Sequence, residues 1–201
     1  MKLSPNTLNS LLQELADWLL LDDCQPVEWV VCGGAALALQ DLQSRTTRDV
    51  DVLCEWDGLT VTCIAKFPDE IKTCIQKVAD SHPELRGLGN KWINLGPSKL
   101  ARDGLPSGFE QRFTELKFGT TLTLQLLGRE DLLALKLYAA ADDQGSRREI
   151  HYHDLKNLKP TEAETGTAVE WIRTLPDFDE KRLSIQDTVR ELGYDELTYY
   201  I

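Results

Sequence analysis

Apolar positions at helical spacing open the chain. Leu8, Leu11, Leu12, Leu15 and Leu19 recur every three or four residues behind Ser4-Pro5, an N-cap followed by a first-turn proline, and the pattern stops near Asp22-Asp23. An apolar run from Trp29 to Cys32 then predicts a core strand. It enters Gly33-Gly34 and a short helix to about Leu42, and a second strand follows from Asp49 to Cys54. Ile71, Ile75 and Val78 predict a helix from about Asp69 to Ala79. Lys91 to Leu95 reads as a third strand, Pro97 to Ser107 as a loop, and Glu115 to Leu127, interrupted by Gly119, as a hairpin.

After Leu127 the period becomes helical and stays so. Glu130 and Asp131 load the N-terminus of a helix to about Ala141, and a second helix runs from Arg148 to Leu158. A third starts at Pro160-Thr161 and carries Val169, Trp171 and Ile172, and a last one near Ile185 to Leu192 stops at Gly193. The pattern predicts an α/β (α+β) core over residues 1–128 and a helical region over residues 129–201.

Composition narrows the classes. Hydrophobic residues make up 42% of the 201, enough for a real core. No apolar run approaches the roughly 18 residues of a membrane span, and the amino terminus lacks a signal-peptide pattern, so a cytoplasmic protein without membrane contact is expected. Five cysteines, Cys24, Cys32, Cys54, Cys63 and Cys74, are odd in number and form no C-x-x-C, which reads as reduced, mostly buried thiols. The net charge of −11 favours a small-molecule or protein substrate over a phosphate backbone, although a local basic rim of Arg45, Arg48, Arg147 and Arg148 would still accept RNA.

The candidate chemistry lies at the first two strands. Side chains alternate along a strand, so Asp49 and Asp51 project to one side, roughly 6–7 Å apart at Cα, while Val50 and Val52 take the other. Two carboxylates converging to about 4 Å repel by about 4 kcal/mol in an effective dielectric of about 20. A cation is expected between them. Mg²⁺ (or Mn²⁺) suits hard oxygen ligands and binds through one or two carboxylates plus substrate phosphates. Gly33 and Gly34 complement the acids by permitting close backbone approach to a triphosphate. Strand, Gly-Gly, short helix and Asp-x-Asp in this order point to nucleotidyl transfer. No Gly-Lys-Ser/Thr and no G-x-G-x-x-G is present, which excludes a Walker loop and a dinucleotide fingerprint.

Lys136 stands among Leu132, Leu133, Ala139 and Ala140, so its ammonium rises from an apolar face. It reads as a lysine that either snorkels to solvent or has an anionic partner. Arg148, His151 and Asp154 or Leu155 share one helical stripe, read as a solvated face with a core leucine.

Between Trp29 and Trp171 the chain resembles the DUF6036-type nucleotidyltransferases, related to the AbiEii and MenT toxins of toxin–antitoxin and phage-defence systems. The resemblance rests on residues 33–36, 45–51, 105–110 and 130–140, on His151 with Asp154-Leu155, and on Pro160-Thr161. It implies a polymerase-β-like nucleotidyltransferase core with a mixed sheet and a C-terminal helical region completing the cleft. It further implies metal binding by Asp49 and Asp51, and catalytic roles for these acids, Lys136 and Asp154. Gly33, Gly34, Arg45, Arg48 and Lys136 would contact the nucleotide.

The implied reaction is in-line attack of an acceptor hydroxyl, on tRNA or a protein, on the α-phosphate of a nucleoside triphosphate. A cognate antitoxin protein is an implied partner. Two departures stand out: Ala35 replaces a frequent Ser or Thr, and Thr123 or Gln125, with Glu115 earlier, stands where a third strand acid is common. The alternative is a catalytically inactive nucleotide-binding or antitoxin-like module.

Overall fold

The computed structural model describes residues 2–43, 46–142 and 146–201, with Asp142, Ser146 and Arg147 described in backbone alone. The chain divides into two compact units, Met1–Arg102 with Arg112–Leu127, and Asp103–Gln111 with Gly128–Ile201.

In the first unit, α1 (Pro5–Leu21) starts where Ser4 Oγ accepts the Thr7 N–H at 3.2 Å, and it buries the expected leucine stripe together with Ala16. β1 (Val27–Cys32) leads directly into α2 (Gly33–Leu39), and the chain returns as β2 (Val50–Trp56), antiparallel to β1. A two-residue β3 (Val61–Thr62) pairs with the far end of β2 and precedes α3 (Asp69–Ser81). β4 (Ile93–Asn94) runs parallel to the start of β2. After α4 (Ser98–Asp103), the hairpin of β5 (Thr114–Phe118) and β6 (Leu122–Leu126) turns at Gly119, whose φ is 59°. β6 is parallel to β1, which makes a mixed sheet of order β3-β2-β1-β6-β5, with β4 beside β2.

Strand register sorts the side chains onto two faces. Trp29 and Val31 stand beside Leu124 and Leu126, all fully buried, and α1 packs on β5 and β6, where Thr121 Oγ1 donates to the Ala16 carbonyl at 2.7 Å. The opposite face carries Glu28, Thr123, Gln125, Glu115 and Lys117. Against β6, β1 is regular from Val27 to Val31. Against β2, the partner of Val30 is Cys54 and that of Val31 is Val52, so Leu53 is an extra residue in β2. The bulge places Asp51 opposite Cys32 and so on the polar face. A regular ladder would have put Val52 there and turned Asp51 to the other side.

Two expectations for this unit need correction. The third strand shrinks to Ile93–Asn94, because a 3-10 turn over Gly89–Trp92 swings the Trp92 indole inward to donate to the Ile75 carbonyl at 3.1 Å. The segment read as a loop contains α4, which buries no residue and therefore carries no apolar periodicity.

The second unit is helical. α5 (Arg129–Asp142) is buried all round from Asp131 to Tyr138 and packs against α6 (Ser146–Leu158), α7 (Glu162–Ile172) and α8 (Phe178–Glu191). A capping box opens α7: the Glu164 N–H donates to Thr161 Oγ1 at 3.2 Å, and the Thr161 N–H donates to the Glu164 carboxylate at 2.8 Å. Arg129 pairs with the same carboxylate at 2.8 Å. The last helix begins at Phe178, earlier than expected. Its first two turns bury nothing, so only Ile185, Thr188 and Val189 mark it in the pattern.

Candidate functional site

The glycine turn and the second acid are in direct contact. Gly33 takes a φ of 69°, and a Cβ built on it would lie 2.3 Å from Asp51 Oδ2 and 3.2 Å from its carboxyl carbon. Only glycine accommodates both the left-handed backbone and the carboxylate. The β1-to-α2 junction is thus shaped around Asp51.

Asp49 lies one residue before β2, and half-buried Asp49 and Asp51 flank the buried Val50. The approach to Asp49 is pinned by Thr47. Its backbone forms a two-way bridge with Leu3, at 2.6 and 3.0 Å, and its hydroxyl donates to the Asp49 carbonyl at 3.1 Å. Thr47 is a positioning residue within the 45–51 motif, and its signal in the sequence is a hydroxyl two residues before an acid. Arg48 is exposed. Arg45 lies outside the described residues, as does the Arg147 side chain. Arg148 is committed within its own unit: it bonds both Glu191 oxygens, at 3.1 and 3.2 Å, and lies over the Tyr152 ring.

A metal requiring a protein cage finds none, since no group of three or more His, Cys, Asp and Glu side chains gathers for one among the described residues. Two carboxylates on a strand end, one of them lying against a bare Cα, match instead a cation that takes few protein ligands and several phosphate or water oxygens. Mg²⁺ fits that donor set.

Farther along the polar face, Gln125 is 6% exposed and its amide donates to Glu28 at 2.6 Å and Glu115 at 3.1 Å. Lys117 pairs with Glu115 at 2.9 Å, and this hydrogen bond, with that from Gln125, holds the Glu115 carboxyl below its ordinary range. Glu28 went unremarked in the sequence, yet it is the polar residue of an otherwise apolar β1.

In the second unit, Lys136 and Asp154 meet as a buried ion pair. Nζ lies 2.8 Å from Asp154 Oδ2, and the side chains are 7% and 3% exposed. His151 Nδ1 is 3.4 Å from the same ammonium. The stripe read as a solvated face therefore buries Asp154 as well as Leu155. The reason is tertiary: α6 packs against α5, and His151 and Asp154, one turn apart on α6, both meet Lys136, the cation of the fully buried stretch of residues 131–138. The choice left open for Lys136 resolves to an anionic partner.

The sequence-selected residues thus fall into two groups, Gly33, Asp49 and Asp51 in the first unit and Lys136, His151 and Asp154 in the second. No curated protein and no solved structure matches the chain. Residues 6–158, which include every one of these positions, match the model of a family described as nucleotidyltransferase of unknown function (DUF6036), and the protein belongs to that family.

Proposed function

We propose that the chain transfers a nucleoside monophosphate from a nucleoside triphosphate to an acceptor hydroxyl, on tRNA or on a protein, at Asp49 and Asp51. The observation that carries this reading is the fit of Asp51 against the Cβ-less Gly33, which joins the strand–glycine–helix element to the acid pair. Asp49 and Asp51 are the residues that would hold Mg²⁺ or Mn²⁺, which when bound supplies positive charge to the triphosphate and acidifies the attacking hydroxyl. Thr47 keeps Asp49 in place through its backbone. The bare Gly33 leaves room beside the carboxylate that any side chain would fill. A role for Lys136 and Asp154 toward the nucleotide belongs to this proposal through the family resemblance alone. Within the second unit Lys136 is paired with Asp154 and lies beside His151. A toxin role and a cognate antitoxin partner belong to this proposal through the family resemblance alone.

The test is incubation with each α-labelled nucleoside triphosphate, Mg²⁺ or Mn²⁺, and total tRNA or cell lysate. A labelled acceptor is expected, and the label should disappear in Asp51→Asn. Calorimetric binding of a triphosphate without transfer from any of the four nucleotides would replace this reading with an inactive nucleotide-binding or antitoxin-like module.

A further inference from the structure

The end of α1 and the middle of α3 bring two thiols together. Asp23, at a φ of 53°, turns the chain back after α1, and the Cys24 N–H bonds to the Leu19 carbonyl at 2.9 Å. This places a half-buried Cys24 against α3. There Cys74 belongs to the buried stripe of Ile71, Ile75 and Val78. The two Sγ atoms are 4.0 Å apart. Cys74 also donates to Asp22 Oδ2 at 3.4 Å, and Lys77 binds both oxygens of that carboxylate, at 2.8 and 2.7 Å. A thiol pair with its own anchored carboxylate is more than packing requires.

We propose that Cys24 and Cys74 form a reversible disulfide when the protein meets a hydroperoxide. Cys24 is the attacking residue because it is the half-exposed member and sits on a turn rather than within a helix. Its thiolate attacks a peroxide oxygen, the O–O bond breaks, hydroxide leaves and is protonated, and Cys24 becomes a sulfenic acid. The Cys74 sulfur then attacks the Cys24 sulfur, the S–O bond breaks, and water departs carrying the proton that Cys74 gives up beside the Asp22 carboxylate. Two thiols and one hydrogen peroxide thus yield one disulfide and two waters. Burial and the hydrogen bond to Asp22 push the Cys74 thiol up to about 12, so the first attack on the peroxide falls to Cys24.

Bond formation brings the sulfurs from 4.0 Å to about 2.05 Å, a movement the Cys24 turn can supply. The staple would close a 50-residue separation and fix the α1–β1 connection to α3. Gln25 to Glu28 on one side, and Glu70 with Ile71 on the other, also line a cleft of about 300 Å³, so the bond would hold two of its walls.

The experiment uses the full chain, reduced, freed of reductant and treated with a small excess of hydrogen peroxide. The count of thiols under denaturing conditions is expected to fall from five to three. Peptide mapping should place the bond between Cys24 and Cys74, and dithiothreitol should restore all five thiols. The melting temperature of the oxidised form should rise by about 5 °C or more and return on reduction. Cys24→Ser, at a half-exposed turn, should keep its four thiols and show no shift. The proposal fails if the count stays at five, if the lost thiols map to Cys63 or to a bond between two molecules, or if Cys24→Ser loses thiols as the parent does.

Discussion

Replacing Gly33 by alanine probes the junction between the glycine turn and Asp51. Two costs are expected. The left-handed backbone at a φ of 69° costs a residue with a Cβ about 1–2 kcal/mol. The new Cβ, 2.3 Å from Asp51 Oδ2, also forces that carboxylate off its rotamer, for about 0.5–1.5 kcal/mol more. The sum is about 1.5–3.5 kcal/mol. Gly119 is the control: its φ is 59°, but a Cβ there would meet nothing within 4 Å, so Gly119→Ala carries the backbone cost alone. Urea unfolding of both variants, followed by tryptophan fluorescence, should show the larger loss at Gly33. In an Asp51→Ala background that excess should vanish, because the obstructing carboxyl is gone. Triphosphate binding should fall in Gly33→Ala and persist in Gly119→Ala. Equal losses at the two glycines, with no coupling between positions 33 and 51, would refute the assigned contact.

Two further outcomes follow from other contacts. Lys136→Met should destabilise the protein by about 3–5 kcal/mol, because it leaves the 3%-exposed Asp154 without its cation. Lys136→Met/Asp154→Leu should recover most of that loss in a thermal melt, and a single variant as stable as the parent would contradict the buried pair. His82 is raised above its ordinary 6.5 chiefly by its hydrogen bond to Glu14 at 2.6 Å, against an opposing effect of burial, with Glu84 adding at 3.2 Å. A raised folded-state pKa means a contribution fully present below about pH 6.5 and lost as pH rises through the folded value, amounting to less than about 1 kcal/mol after solvent screening. His82→Gln should flatten that slope, and an unchanged slope would assign it to another group.

Several elements were legible because local chemistry alone specifies them. Ser4-Pro5 and the leucine stripe define α1, Thr161 with Glu164 opens α7, and Gly119 breaks a polar-alternating run into the β5–β6 hairpin. α4 was not legible, because a helix that buries nothing leaves no period to read. β4 was overread, because the apolar residues around Trp92 serve a 3-10 turn docked on Ile75 rather than a strand. In the site, Gly33, Asp49 and Asp51 were visible from order and spacing. Glu28 was not, because its significance depends on Gln125, 97 residues away.

By itself the sequence determined the α/β core, the helical second half, and the residues able to bear charge near the first strand pair. Periodicity and capping are properties of neighbours along the chain. Which way those charges face was decided only in three dimensions. The extra residue Leu53 turns Asp51 to the polar face, and no pattern within β2 alone reveals it, since a bulge exists only relative to the partner strand. Likewise, alternation could not say whether Lys136 reached solvent or a carboxylate. That depended on α6 packing against α5 and presenting Asp154 within 2.8 Å, a consequence of helix packing and not of spacing along either helix.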